Sequence, residues 1–383
     1  MIYLFWFSII FVLYTYLGYP LLLLLLSLFY HNKNQKHLNQ IGNFYPAVSL
    51  IISVYNEEEV IEDKILNSLE LNYPKELLEI IVISDGSDDR TNEIVARYAD
   101  KGVLLRYYEG RIGKTACLNK AIPLTKGEII VFSDANSKYD KDAIRELVKH
   151  FSDEKIGFVT GHTKYRVERN SDKLYPIGLY SKIEKFTKKL ESGLSSCIGA
   201  DGAIFAIRKK LYQPLNDFDI NDFVIPLNII RQGFRGIMEE QAFCTEEAAK
   251  GNRGEFNRQA RISNRTIRAL FNNADMLNPF KFGIFSFELF SHKMSKFLAP
   301  FFMLTLLSVN LALINDGPLY VTSLSFQVIL YLLSFLGHKS ESFRDLSGLI
   351  SVSRTFTMVN LAILWGWIKY FQGHTYTSWT TVR

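Results

Sequence analysis

Short clusters of carboxylate and carboxamide side chains follow three apolar runs in the N-terminal half of the chain. They are Asn56-Glu57, Asp85 with Asp88, and Asp134 with Asn136. Their oxygens are the ligand type that hard divalent cations such as Mg²⁺ and Mn²⁺ prefer. One such cluster alone would be explained as a helix cap. Three clusters in equivalent positions predict a ligand site.

The elements that must position these clusters alternate along the chain. Four segments have the composition of buried strands: Val48 to Val54, Leu78 to Ser84, Val103 to Tyr107 and Glu128 to Ser133. Segments with helical spacing separate them. This alternation predicts a doubly wound α/β sheet, in which ligands bind at the carboxyl ends of the strands. The first strand is not followed by Gly-x-Gly-x-x-Gly, and the sequence has no P-loop, which argues against a dehydrogenase or a P-loop ATPase.

The composition of the 383 residues is uneven. Residues 1–32 contain no Asp, Glu, Lys or Arg, and a second apolar region runs from Phe297 to Phe371 with short interruptions. The mean hydropathy of +0.04 therefore averages two unlike materials. We expect a water-soluble domain over 45–272 between membrane segments. A net charge of +5 gives no support to a nucleic-acid role.

The apolar ends predict a multi-pass membrane protein, in keeping with a prokaryotic cell membrane. Residues 1–32 are long enough for one span and lack the basic start and cleavage site of a signal peptide. Up to three spans are expected within 297–383, at about 297–315, 319–337 and 350–370, and a mixed segment over 275–295 predicts a helix lying in the bilayer interface. Lys33 and Lys36 predict that the soluble domain is cytoplasmic. The side on which the chain ends stays open.

Several short motifs, taken in order, resemble the membrane-bound family 2 glycosyltransferases, the group of cellulose, hyaluronan and chitin-oligosaccharide synthases. The resemblance covers residues 48 to about 270. Its motifs are Ser53-Val54-Tyr55-Asn56-Glu57-Glu58, Asp85-Gly86-Ser87-Asp88-Asp89, Arg111-Ile112-Gly113-Lys114, Ser133-Asp134-Ala135-Asn136, Gly199-Ala200-Asp201-Gly202-Ala203, Asn221-Asp222-Phe223, Arg258-x-x-Arg261-Ile262 and a terminal Trp379-x-Thr-x-Arg383.

The resemblance implies a GT-A fold and an inverting enzyme that uses a nucleoside diphosphate sugar, with UDP as the expected nucleotide, and Mg²⁺ or Mn²⁺. It makes Asp222 the catalytic base, and Asp134 with Asn136 the metal ligands, although the family has Asp at the place of Asn136. The implied donor contacts are Tyr55, Glu57, Asp85, Asp88, Lys114, Asp134, Asp201, Arg258 and Arg261. Ile262 replaces the family's acceptor-contacting tryptophan, which counts against processive synthesis.

Alternatives from the residues alone remain open. Glu57, Asp85 with Asp88, and Asp134 with Asn136 could each cap a helix, Asp222 could be the N-cap of a helix over Phe223 to Ile230, and Lys114 could be solvated. The acceptor could be a growing polysaccharide or glycan, or a polyprenyl phosphate or other lipid that receives one sugar. An inactive nucleotide-sugar sensor is a third reading, supported by Asn136 and Asn221.

Overall fold

The computed structural model describes residues 1–29, 44–166, 178–247, 252–339 and 348–376. The strands are β1 Val48–Val54, β2 Leu78–Asp85, β3 Val103–Tyr108, β4 Ile129–Asp134, β5 Lys138–Tyr139, β6 Ile156–Arg166, β7 Ile204–Arg208 and β8 Arg235–Glu247. The helices are α1 Ile2–Leu13, α2 Tyr19–Phe29, α3 Ile61–Leu69, α4 Thr91–Ala96, α5 Lys114–Ala121, α6 Ala143–Val148, α7 Gly178–Leu194, α8 Asn221–Arg231, α9 Asn252–Asn272, α10 Pro279–Phe282, α11 Ile284–Leu289, α12 Ser295–Ala312, α13 Pro318–Lys339 and α14 Gly348–Phe371.

The strands form one mixed sheet in the order β3-β2-β1-β4-β7-β6-β8-β5. Strands β3, β2, β1 and β4 are parallel, whereas β7 is antiparallel to both of its neighbours. The predicted α/β sheet is confirmed, and the four strands predicted from apolar runs end within one residue of the observed bounds. β1 is buried at every position, as expected of a central strand with helices on both faces.

The register brings the polar clusters to one edge of this sheet. Val54 pairs with Ser84, and Ser53 pairs with Asp134, so β1, β2 and β4 end side by side. The antiparallel strand β7 starts at the same edge, because Ser133 pairs with Ile204. The turn that precedes β7, residues 199–203, therefore lies next to the end of β4. Apolar packing beneath this edge includes the stacked rings of Phe132 and Phe205, whose centroids are 4.4 Å apart.

The apolar helices belong to a second compact unit, made of residues 1–22 and 249–375. In the described part of the chain, four helical stretches are long and apolar enough to cross a bilayer: Ile2–Phe29, Ile284–Ala312, Pro318–Gly337 and Gly348–Phe371. Two of them contain a π-helical turn, at Tyr14–Gly18 and at Phe290–Met294. The helix predicted to begin at 297 thus begins at Ile284.

Polar side chains link the helices within this unit. The Tyr14 hydroxyl lies 2.7 Å from Ser291 Oγ, and the Tyr16 hydroxyl donates to Asn360 Oδ1 at 2.9 Å. Trp367 Nε1 donates to the Phe297 carbonyl at 2.8 Å. Such bonds hold helices together where lipid gives no hydrophobic driving force between them.

The interface helix predicted over 275–295 corresponds to several short helical pieces. Phe280, Ile284, Phe287 and Phe290 expose a row of apolar side chains there, with Phe280 fully exposed. Its place in the bilayer interface and the predicted domain limits stay predictions. Four residues used in the sequence analysis lie outside the described residues. They are Lys33 and Lys36, which predicted the orientation in the membrane, and Trp379 and Arg383 of the terminal motif.

Candidate active site

The loop after β1 is bonded to the loop after β2. Asn56 adopts a positive φ of 51°, and its side chain forms two hydrogen bonds with Asp88: Nδ2 donates to Asp88 Oδ1 at 2.6 Å, and the Asp88 amide donates to Asn56 Oδ1 at 3.1 Å. The Glu57 amide donates to Thr91 Oγ1 at 2.8 Å. These bonds set Tyr55, Glu57 and Asp88 side by side, with Asp88 exposed.

The helix-cap alternative is wrong for Asp85 and Asp88, and the one for Glu57 stays a prediction. Helix α3 starts after Val60 and helix α4 after Arg90, and neither start has a side-chain cap from the N-cap residue. The first amide of α4, that of Thr91, donates instead to Asp89 at 2.9 Å. Capping in this motif is therefore done by Asp89 and not by Asp85 or Asp88.

Asp85, the last residue of β2, is 1% exposed. The Gly113 amide donates to its two carboxylate oxygens at 3.0 and 3.1 Å, and Arg111 Nε lies 3.9 Å from Oδ2. Gly86 has a φ of +70°, and a Cβ there would lie 2.5 Å from the Gly110 carbonyl oxygen, so only glycine lets these two turns approach so closely. Asp85 thus fixes the 110–113 turn.

Arg111 lies beside two predicted donor contacts, Tyr55 and Asp85, although the sequence analysis gave it no role. Its guanidinium carbon lies 3.3 Å from the centroid of the Tyr55 ring, and its side chain is 25% exposed. This places a planar cation over an aromatic face, 3.9 Å from the buried Asp85 carboxylate. The signal was present in the motif Arg111-Ile112-Gly113-Lys114, in which only the lysine was assigned a role.

Lys114 is paired with a carboxylate rather than simply solvated. Its Nζ donates to Asp134 Oδ1 at 2.6 Å, with the lysine side chain 18% exposed and that of Asp134 40% exposed. Gly113 directly precedes α5, and its amide donates to Asp85. One short segment therefore supplies both the turn bonded to Asp85 and the Lys114 cation. The pair puts a positive and a negative charge at the end of β4, where an anionic ligand and its counterion would both find a partner.

A divalent cation fits the end of β4 only if a ligand completes its shell. Among the described residues no group of three or more His, Cys, Asp or Glu could hold a metal ion. Asp134 and the exposed Asn136 offer one carboxylate and one amide oxygen. Mg²⁺ and Mn²⁺ are commonly held by one or two protein oxygens plus phosphate and water. Neither residue caps α6, which starts after Asp142, so that alternative is wrong.

Asp222 lies in the first turn of α8. The alternative that made it an N-cap is wrong, because the helix starts at Asn221 and its N-cap is Ile220. A Cβ on Gly202 would lie 2.8 Å from Asp222 Oδ2, so the carboxylate packs directly on that glycine. The Ala200 amide donates to the Asp222 carbonyl at 2.7 Å. Asp222 is therefore fixed to the turn that lies next to the end of β4.

Asn221, beside the base candidate, is 7% exposed. Its Nδ2 is buried and has no hydrogen-bond acceptor within the part of the chain that the structure describes. A buried amide without a partner costs about 1–3 kcal/mol. Asn221 therefore has an unused hydrogen-bond donor at the edge of the sheet where Asp222 lies.

The carboxylate of Asp201 bonds to the protein itself. The amide and the hydroxyl of Thr163 donate to it at 2.8 and 3.0 Å, and the Ala203 amide donates at 3.2 Å. Burial raises the pKa of Asp201, and these donors oppose that rise. Asp201 thus shapes the turn that carries Gly202, and its predicted contact with the donor stays a prediction.

Arg258 and Arg261 lie on α9, in the unit that contains the apolar helices. Glu255 accepts from Arg258 Nε and Nη2, both at 2.8 Å, and Arg268 lies 5.2 Å from the Tyr370 ring centroid. Part of the positive charge on α9 is therefore balanced within the unit. The role of Arg258 and Arg261 at the donor stays a prediction.

Comparison with known proteins places this geometry in a class. Over 97% of this chain and 99% of the other, the fold matches the mannosyltransferase PcManGT from Pyrobaculum calidifontis, solved with GDP-Man and Mn²⁺, with a TM-score of 0.70 and 22% identity. The sheet thus has the GT-A fold. Residues 49–215 match the family model described as Glycosyl transferase family 2. Over these residues, less than half of the chain, the sequence is thus similar to the glycosyltransferases of family 2.

Sequence relatives agree with this family. The chain is 32% identical over 183 residues to a probable glycosyltransferase, YdaM, of Bacillus subtilis, covering 45% of this chain and 43% of that protein. It is 39% identical over 118 residues to a beta-monoglucosyldiacylglycerol synthase of Trichormus variabilis, covering 30% and 25%. A poly-beta-1,6-N-acetyl-D-glucosamine synthase of Staphylococcus aureus is 28% identical over 211 residues, covering 52% and 49%. The chain thus spans less than half the length of each.

Proposed function

We propose that this protein is an inverting, divalent-metal-dependent glycosyltransferase that adds a sugar from a nucleoside diphosphate donor to a growing polysaccharide or glycan at a membrane. One observation carries the proposal. Asp134, paired with Lys114 at 2.6 Å, ends β4, and the Ser133–Ile204 pairing sets the turn that holds Asp222 beside it. The ion pair and the carboxylate proposed as the base thus lie at one edge of the sheet.

Transfer requires that negative charge on the leaving diphosphate be stabilised. Lys114 would donate to its oxygens, and Asp134 with Asn136 would hold Mg²⁺ or Mn²⁺. The cation, when bound, neutralises charge that develops on the leaving group. At the nucleoside end, Asp85, Arg111 and Tyr55 would form the base pocket, with Glu57 and Asp88 beside it. A uridine nucleotide is the donor we expect.

Asp222 would act on the acceptor. As the acceptor hydroxyl oxygen attacks the anomeric carbon, its proton passes to the Asp222 carboxylate, and the bond from that carbon to the diphosphate oxygen breaks on the opposite side. The carbon is thereby inverted. The contact of Asp222 with Gly202 supports this role, because a carboxylate fixed against backbone can be held at one angle to the sugar.

A lipid acceptor is the second candidate. The exposed apolar row of Phe280, Ile284 and Phe287 favours a substrate that approaches from the bilayer. The name of the Trichormus relative, a glucosyldiacylglycerol synthase, points the same way. With four candidate spans in the described chain, we propose that the catalytic domain lies on the cytoplasmic side, as Lys33 and Lys36 predict.

The test is a donor panel applied to the purified full chain with Mn²⁺ or Mg²⁺, with glycan and lipid acceptors supplied separately. We expect nucleoside diphosphate release with at least one UDP-sugar, and NMR of the product should show an inverted anomeric carbon. Asp222→Asn should lower kcat by about 100- to 10,000-fold. Asp217→Asn, an exposed residue of the preceding loop, is the control and should retain activity.

The outcomes separate the alternatives. A long product supports a polysaccharide, and a single added sugar on lipid supports the second candidate. Donor binding without turnover by the wild type would support an inactive sensor. Full activity of Asp222→Asn, or retention of configuration, would refute the mechanism.

A further inference from the structure

A lysine is buried inside the α/β unit where the proposed chemistry gives it no role. Lys64, on α3, is 1% exposed. Its ammonium donates to the Ser137 carbonyl at 2.6 Å and lies 3.9 Å from the centroid of the Tyr139 ring. Ser137 directly follows Asn136, so the ammonium is bonded to the main chain just past the two proposed metal ligands.

The same face of α3 holds the next residues of this segment. Asn67 Nδ2 donates to the Tyr139 carbonyl at 2.9 Å, and the Tyr139 amide donates to Asn67 Oδ1 at 2.8 Å. The Tyr139 hydroxyl donates to the Phe132 carbonyl at 2.8 Å. The β4–β5 turn, residues 135–137, is therefore bonded to β4 and to α3. Ser137, which follows Asn136, is held by Lys64 through its carbonyl and by Glu246 of β8 through its hydroxyl.

A buried ammonium is an expensive way to fill this space. An apolar residue of similar volume would avoid the desolvation cost and is often neutral or stabilising in such places. Burial lowers the pKa of Lys64 to about 7, although the negative charges of Asp134 and Glu246 oppose that shift. What an apolar residue could not provide is a donor to the Ser137 carbonyl and a positive charge beneath the turn.

We propose that Lys64 is a positioning residue that holds the β4–β5 turn so that Asp134 and Asn136 present their oxygens to the cation of a bound nucleoside diphosphate. This inference rests on the proposed function for the identity of the ligand. Its structural half, the tether between Lys64 and the turn, does not. Outer groups that orient metal ligands typically change metal affinity by 10- to 100-fold when they are removed.

The experiment compares the full-length wild type with Lys64→Met and with a matched control, Lys101→Met. Lys101 also lies over a tyrosine ring, 5.0 Å from the Tyr98 centroid, but is exposed. Hydrogen exchange of the peptide covering 134–139 is measured first. Binding of Mn²⁺ in the presence of UDP, and in a parallel titration GDP, is then followed by electron paramagnetic resonance.

For Lys64→Met we expect exchange of the 134–139 amides about 10-fold faster and Mn²⁺ binding about 10-fold weaker, while Lys101→Met matches the wild type. A folded Lys64→Met protein with wild-type exchange, or with faster exchange but wild-type Mn²⁺ affinity, would overturn the inference. If Lys64→Met does not fold, Lys64→Leu, which also removes the donor and the charge, is used instead and carries the same expectation. Absence of Mn²⁺ binding by the wild type with either nucleotide would count against the proposed function, and exchange would still decide the tether.

Discussion

The turns after β2 and β4 each begin with an aspartate, but their carboxylates have opposite surroundings. Asp85 is 1% exposed and accepts twice from the Gly113 amide. The side chain of Asp134 is 40% exposed and is paired with the ammonium of Lys114. The two strands are separated in the sheet only by β1, so position alone does not explain the difference.

The difference separates a buried carboxylate that bonds to the backbone from a partly exposed one that bonds to a side chain. Both carboxylate oxygens of Asp85 accept from the protein's own backbone, and Arg111 lies beside them. Asp134 is paired with a lysine, whose long flexible side chain can turn towards a bound phosphate. The comparison can be broken by substitutions that separate stability from activity.

Of the two aspartates compared, Asp134 should have the larger effect on activity. Asp134→Asn removes the charge that would hold the cation, and kcat/KM should fall by about 100- to 1,000-fold, or about 3–4 kcal/mol of transition-state stabilisation. The melting temperature should stay at the wild-type value, because a partly exposed ion pair contributes about 0–1 kcal/mol to stability. Nucleoside diphosphate release and thermal unfolding measure the two. A large loss of stability would contradict the comparison.

A smaller effect, of another kind, is expected at Asp85. Asp85→Asn weakens the bonds to the Gly113 amide, and the buried charge-assisted hydrogen bonds lost should cost about 2–3 kcal/mol of stability. Activity should fall as well, since the 110–113 turn carries Arg111 and leads into Lys114. Thermal unfolding of this variant beside Asp134→Asn gives the answer. Equal melting temperatures for the two would remove the distinction.

Glu239 extends the comparison to a carboxylate for which no ligand is proposed. Although burial acts to raise it, hydrogen bonds from His150, the Gln241 amide and Lys149 lower the pKa of Glu239 to about 2. The folded-state pKa thus lies below the ordinary value of 4.5, so this stabilisation is complete above pH 4.5 and is lost as the pH falls towards 2.

At neutral pH, Glu239→Gln should therefore cost about 1–2 kcal/mol, with activity per folded molecule unchanged. The stability difference from the wild type should shrink as the pH falls from 4.5 towards 2. Thermal unfolding across that range measures it, with the exposed Glu154→Gln as the control. A difference that stays constant with pH would show that the ionised form of Glu239 is not what stabilises the fold.

How far the sequence predicted the structure depends on the kind of signal. The parallel half of the sheet followed from β-branched runs, because a strand buried on both faces has no alternation to obscure it. Strands β6 and β8 mix polar and apolar residues, and the register of their pairing shifts at two places. No simple residue period therefore marks these strands in the sequence. Family motifs predicted Asp134 and Asp222 as site residues, and the structure fixes both near one sheet edge.

The sequence patterns could not predict which side chains contact each other within the fold. Nothing in the local sequence says that Lys114 pairs with Asp134 or that Asp201 accepts from Thr163, since these contacts join segments far apart in the chain. Lys64 was passed over because a lysine in an amphipathic helix is normally assigned to the solvent face. Its spacing with Ile61, Ile65 and Ser68, all buried, was the available signal.

The most direct test of the division between donor and acceptor groups is a titration of the accepted nucleotide sugar, with Mn²⁺, into Asp222→Asn and Asp134→Asn. Asp222→Asn should bind the donor with the wild-type Kd and release almost no nucleoside diphosphate, because the base acts only on the acceptor. Asp134→Asn should bind it at least about 10-fold more weakly. If Asp222→Asn loses donor binding while Asp134→Asn retains it, the proposed roles of the two carboxylates are contradicted.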